Sequence, residues 1–141
     1  MSLNKSRILV IEADETLRSS IVKALETEGV KVMVAPNLAQ GLKKAYEDGT
    51  QAVVLDIDLP GVNAEEALFR LLQVSSTPLL VLGSDKGISA QLLIDGADAY
   101  LHKPANLAEL VVRLRGLLRR IPPDYSAVGE PDLTKPRTEP S

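Results

Sequence analysis

Cysteine and tryptophan are absent from this 141-residue chain, and phenylalanine occurs once. Without Cys there is neither a disulfide framework nor a thiolate metal site, which suits a reducing, cytoplasmic setting. Without Trp and with a single Phe, the aromatic platforms on which single-stranded nucleic acid stacks are not expected. Long apolar runs are missing too, since nothing approaches the roughly 20 apolar residues that span a bilayer. The opening MSLNKSRILVIEADE has too short an apolar run before its charges for a signal peptide. Nor is there an excess of positive charge. The formal net charge is −3, with acids and bases interspersed, so neither direct nucleic-acid contact nor membrane association is expected of these residues. What is present is enough chain to bury one core without staples.

The apolar pattern alternates short β-branched runs with longer stretches of helical period. Ile8-Leu9-Val10-Ile11 is an unbroken apolar run, as in a strand covered on both faces. Asp14 is placed to cap a first helix with Leu17, Ile21, Ala24 and Leu25 on its buried stripe, ended by Gly29. Val30 to Val34 reads as a second strand, then Leu38 to Asp48 as a helix between the cap Asn37 and the stop Gly49. The third strand is Ala52 to Asp56, and a Pro60-Gly61 loop leads to a helix from about Asn63 to Gln73. Pro78 to Leu82, a short helix over Ser89 to Asp95, and Ala99 to Leu101 come next. The last helix carries Leu107, Leu110, Val111, Leu114, Leu117 and Leu118 at spacings of three and four, with Arg113, Arg115, Arg119 and Arg120 among them.

Five strands separated by helices imply right-handed βαβ crossovers, hence an α/β fold with a doubly wound five-stranded parallel sheet. Such sheets bind ligands at the carboxyl ends of their strands, near the topological switch point. The residues there are Glu12, Asp14, Asp56, Asp58 and Lys103. The last 20 residues, from Pro122, hold five of the nine prolines and almost no apolar periodicity. The expected organisation is therefore one domain over 1–121 and a disordered Pro-rich tail or interdomain linker over 122–141.

Asp56, at the end of a buried strand and before a Pro-Gly loop, reads either as a cap for the next helix or loop, or as a nucleophilic or metal-binding acid. Lys103 favours the second reading. It lies just past the fifth strand on the same rim as Asp56, where an ammonium pairs with a carboxylate or an acyl-phosphate oxygen. Pro104 is the next residue, and an X-Pro bond is the usual place for a cis peptide. His102 is the only histidine, and one His makes no metal site.

The segments ILVIEADETLRSSIVKALETEG, VVLDIDLPG, TPLLVLGS, DGADAYLHKP and ELVVRLRGLLRR resemble, in order, the receiver domains of two-component response regulators, over roughly residues 7 to 120. The style is closest to the winged-helix (OmpR/PhoB-like) class. The resemblance implies the (βα)5 flavodoxin-like fold, phosphorylation of Asp56 by a histidine kinase, and Lys103 as the phosphoryl contact. It implies a Mg2+ site from Glu12, Asp56 and the backbone carbonyl of Asp58, and Tyr100 as the switch aromatic. In the winged-helix class the fourth helix, fifth strand and fifth helix form a homodimer face, onto which Asp98 and Arg113 map. The family's second Asp there is Ala99 in this chain. A receiver is a regulatory domain rather than an enzyme, with at most its own phosphorylation and dephosphorylation as chemistry.

Two positions depart from that pattern. The family's acidic pair after the first strand reads Glu12-Ala13 here, so Mg2+ binding is expected to be weakened but not abolished. The switch Thr or Ser, five residues after the fourth strand's Pro, falls on Gly83, which has no hydroxyl, and Ser84 is next. A hydrogen bond to a charged group is worth about 1.5–3 kcal/mol and allosteric coupling about 1–3 kcal/mol. Losing the hydroxyl therefore removes a large part of the expected coupling between Asp56 and Tyr100. The competing reading is a pseudo-receiver that binds partners or dimerises without phosphate. A remote third is a haloacid-dehalogenase-like phosphatase using Asp56 and Asp58 as its D-x-D pair, although that motif normally lies on the first strand.

Overall fold

The computed structural model describes residues 6–47 and 49–119; the tail expected at 122–141, the boundary at 121, Arg120 and Asp48 lie outside them. The chain runs β1 (Arg7–Ile11), α1 (Glu15–Thr27), β2 (Lys31–Ala35), α2 (Leu38–Glu47), β3 (Ala52–Asp56) and α3 (Ala64–Val74). It continues with β4 (Leu79–Gly83), a single 3-10 turn (Lys86–Ile88), α4 (Ser89–Ile94), β5 (Ala99–His102) and α5 (Leu107–Arg119). All neighbouring strands are parallel, in the order β2-β1-β3-β4-β5. This is the doubly wound α/β architecture read from the sequence.

Strand alternation divides the core in two. Ile8, Val10, Val54, Leu80 and Leu82 face Ile21 and Leu25 of α1 and Leu110, Leu114 and Leu117 of α5. Leu9, Ile11, Val53, Leu55 and Val81 face α2, α3 and α4 through Leu38, Ala45, Leu68, Leu71 and Leu92. With helices on both faces, the strands are apolar on both sides, which is why they read as unbroken runs.

The caps that the sequence suggested at Asp14 and Asn37 are formed, and Asn63 supplies a third. Asp14 accepts from the Leu17 amide at 3.0 Å, Asn37 from Gln40 at 2.8 Å and Asn63 from Glu66 at 3.0 Å. Gly29, at φ +84°, takes the left-handed position just past α1. Two strands are offset by one residue from their expected bounds. The Val30 amide bonds back to Leu25 at the end of α1, so β2 begins at Lys31. Pro78 has no N–H to give, so β4 begins at Leu79 and its last rung pairs Gly83 with His102.

Candidate functional site

The strand order reverses between β1 and β3, and the crevice at their carboxyl ends is where an open α/β sheet places its site. Glu12 comes directly after β1, and Asp56 ends β3 on the neighbouring rung. They are the two buried charged residues among the described ones, at 1% and 2% exposure. Burying one carboxylate is costly and two side by side more so. The surroundings answer that cost unevenly.

Asp56 is well supplied. Its Oδ1 accepts from the Asp58 amide at 2.8 Å and its Oδ2 from Lys103 Nζ at 2.5 Å. Lys103 comes from beyond β5 and reaches across the end of β4; its bond to Pro104 is cis. The ammonium also meets Asp58 Oδ2 at 3.1 Å. That same oxygen accepts from the Ser84 amide at 3.1 Å and from Ser84 Oγ at 2.7 Å. Burial works against the charge on Lys103, but Asp56 and Asp58 outweigh it and hold its pKa above the ordinary value. Burial likewise pushes Asp58 up, and the Ser84 hydroxyl and Lys103 reverse that, leaving it below the usual carboxylate value.

Glu12 is supplied on one side only. Its Oε2 accepts from the Asp14 amide at 3.1 Å, while Oε1 is buried without a partner. Burial, then the neighbouring Asp56 carboxylate, push its carboxyl up to about 7. Arg18 donates to the Glu12 carbonyl at 2.9 Å and fixes the loop. Asp14 is the α1 cap and brings no third acid to the pair, and Ala13 is exposed. Among the described residues no group of three His, Cys, Asp or Glu side chains stands ready for a metal. Two adjacent carboxylates with one orphaned, buried oxygen nevertheless fit a divalent cation that takes only one or two carboxylates and completes its shell with water and carbonyl oxygen.

On the far side, Gly83 closes β4 and is buried, whereas Ser84 is exposed with its hydroxyl turned to Asp58. His102 Nε2 bonds the Ser84 carbonyl at 2.8 Å, and because a carbonyl only accepts, that nitrogen carries the proton. Tyr100 donates its hydroxyl to the Asp85 carbonyl at 2.7 Å. Burial and the nearby charges of Asp58 and Asp85 raise the Tyr100 pKa. Asp98 and Arg113 line one groove of about 420 Å3 with Lys86, Leu93, Tyr100 and His102. Asp98 spends one oxygen on the Leu79 amide at 2.8 Å, and Arg113 pairs with Glu109 on its own helix at 3.4 Å.

The receiver resemblance assigned Asp58 only a backbone carbonyl, and the remote phosphatase reading alone used its side chain; neither foresaw that this side chain joins Lys103 to Ser84. The signal was available: an acid two residues past β3 faces the first polar residue past β4, because adjacent parallel strands end on one rim.

The model of the response regulator receiver domain family matches residues 8–115. The chain is similar to the KDP operon transcriptional regulatory protein KdpE of Escherichia coli, 35% identical over 90% of this chain and 56% of that protein. It is also similar to the response regulator MprA of Mycolicibacterium vanbaalenii, 37% identical over 86% of this chain and 54% of that protein. The chain thus spans about half the length of these relatives. Among solved structures, a CheY-like response regulator receiver domain protein from Methanospirillum hungatei superposes with a TM-score of 0.76 at 27% identity, covering 82% of this chain and 94% of that one. A two-component response regulator from Clostridium difficile shares the fold with a TM-score of 0.77 at 24% identity, over 82% of this chain and 98% of that one.

Proposed function

The chain belongs to the response regulator receiver domain family, and from that premise we propose that it is a phosphoaccepting switch module whose acceptor is Asp56. One observation carries the reading: Lys103 Nζ lies 2.5 Å from Asp56 Oδ2 at the end of β3, with Glu12 buried alongside. An acceptor carboxylate needs a cation that stabilises negative charge arriving on it, and a second carboxylate at its side suits a divalent ion.

The donor class is a phosphohistidine on a histidine kinase. An Asp56 oxygen attacks the phosphorus; the new P–O bond forms as the P–N bond breaks, and the imidazole leaves with the electron pair. Lys103, already held above its ordinary pKa by Asp56 and Asp58, stays charged to pair with a phosphoryl oxygen. Glu12, Asp56 and the Asp58 carbonyl would hold Mg2+, which when bound neutralises charge on the phosphoryl oxygens. Ala13 supplies no carboxylate, so the affinity is weaker than a full acidic pair would give.

The similar KdpE, named as a transcriptional regulatory protein, is matched over only 56% of its own length. We read it accordingly as the regulatory part of such a protein, with 122–141 as its linker. The groove between α4 and α5 supports dimerisation, in which Arg113 of one copy meets Asp98 of the other. The phosphate-independent interaction module is the competing reading, favoured by the missing hydroxyl at Gly83. The family match leaves the dehalogenase-like reading without support.

Titration with beryllofluoride and Mg2+, monitored by amide NMR, tests the acceptor. The expected result is saturating shifts at Asp56, Ser84 and Lys103. Unmoved amides at all three positions would sink the proposal.

A further inference from the structure

Gly83 is not glycine for the sake of its backbone. The glycines with positive φ are Gly29, Gly49, Gly61 and Gly96, and Gly83 instead sits in a regular β4 rung opposite His102. A glycine there weakens the strand, since it brings backbone freedom and no side chain to pack. What it provides is space. A β-carbon at Gly83 would lie 2.5 Å from the Tyr100 hydroxyl oxygen and 2.8 Å from Ile57 Cδ1 and Cγ1. Ile57 belongs to the core beneath α3 and α4 and has little room to yield. A side chain at 83 would therefore press on two groups, the end of Tyr100 and Ile57, of which the Tyr100 hydroxyl is the nearer.

The rest of the seat is already built. The Tyr100 ring packs against the core cluster that contains Ile57. Its hydroxyl bonds the Asp85 carbonyl. The stretch that it grips is tied down independently, by Ser84 on Asp58, by the Ser84 carbonyl on His102, and by the Gly87 amide on Asp85 Oδ1 at 2.8 Å. Each of these contacts stands with Asp56 unmodified.

We propose that Gly83 is a seat for the Tyr100 side chain, holding the ring inward whatever the state of Asp56, so that the groove of Lys86, Leu93, Tyr100 and His102 is set in the unmodified chain. The proposal does not depend on Asp56 being an acceptor, and it takes Tyr100 out of the switching such a module would perform. A ligand shifts an equilibrium only through its differential affinity for two states. A ring seated the same way in both states would give a phosphoryl group nothing to select.

The test is the nuclear Overhauser contact between the Tyr100 ring and the Ile57 δ1 methyl, measured on the whole chain with Mg2+, with and without beryllofluoride. The expected result is a contact present without beryllofluoride and of equal strength with it. A contact that is absent until beryllofluoride is added overturns the proposal. In Gly83→Ala the contact is expected to disappear, with the Ile57 methyl shifting beside the new group and core resonances away from Ile57 keeping their positions; a contact of undiminished strength also overturns it. Tyr100→Phe, which adds no bulk, guards against a Gly83 variant that does not fold. It is expected to speed amide exchange at Lys86 to Ile88 about tenfold, the loss of one ordinary hydrogen bond. Unchanged exchange there counts against the seat. Shifts at Asp56 and Lys103 report the acceptor chemistry separately, so failure of one reading is distinguishable from failure of the other.

Discussion

The two sides of Asp56 are finished differently. Toward β4 and β5 the polar groups around Asp56 are paired: Lys103 lies between Asp56 and Asp58, Ser84 spends both its donors on Asp58, and Tyr100 and His102 hold the carbonyls of residues 85 and 84. Toward β1 stands a buried carboxyl with a free oxygen and a pKa raised to about 7. An unsatisfied buried group carries its desolvation penalty in full, so it persists where something else completes it. The contrast separates two jobs on one rim. The β1 side leaves a carboxylate oxygen open for the proposed cation, and the β4–β5 side already pairs its groups around Asp56.

Removing Lys103 should break the paired side most severely. Lys103→Ala leaves Asp56, whose side chain is 3% exposed, without its counterion, and a loss of about 3 kcal/mol is expected in urea unfolding. Adding Asp56→Asn should restore most of it, since no unpaired buried charge remains. If the double variant is no more stable than the single one, the pair is not what balances this site.

The open side should respond to pH. The folded chain keeps the Glu12 proton up to about pH 7, while the unfolded chain releases it near the ordinary value of 4.5. Without metal, the stability that this proton contributes is fully present below the unfolded value. It is lost as pH rises through the folded value, by about 1–3 kcal/mol. Glu12→Gln should flatten the curve between those limits, and an unchanged slope would count against an unpartnered carboxyl.

Mg2+ should close the same side. At ten times its dissociation constant it is expected to stabilise the chain by roughly 1.4 kcal/mol. Chelation should reverse the effect and Glu12→Gln abolish it. Asp58→Ala, on the other side, should leave the Mg2+ effect in place, since only the Asp58 carbonyl is assigned to the ion. The same substitution should cost about 1 kcal/mol and speed exchange at the Ser84 amide, the smallest effect of the set. A loss of Mg2+ stabilisation in Asp58→Ala would merge the two sides into one.

Much of this was legible in the chain. Unbroken apolar runs located the central strands, because strands covered on both faces need no alternation. Asp14 and Asn37 marked helix starts because each offers a short side-chain acceptor to a free amide, and Asn63 does the same for α3 in the structure. The rim was legible because parallel strands end together, which brought Glu12, Asp56 and Lys103 into one crevice. What could not be read was where side chains turn once there. Asp58 reaches Ser84 26 residues away, and Arg115 of α5 holds Glu28 at the end of α1 at 2.5 Å. Gly83 looked only like a missing hydroxyl. Its space became meaningful once Tyr100 and Ile57 were seen around it, because a glycine announces no neighbour in the sequence.

The claim that Asp56 is the acceptor is tested most directly by incubating the chain with acetyl phosphate and Mg2+ and measuring its intact mass. The account predicts the gain of one phosphoryl group, mapped to the peptide containing Asp56, and no gain in Asp56→Asn. An unchanged mass for the native chain at every Mg2+ concentration, or a gain that survives in Asp56→Asn, would contradict it.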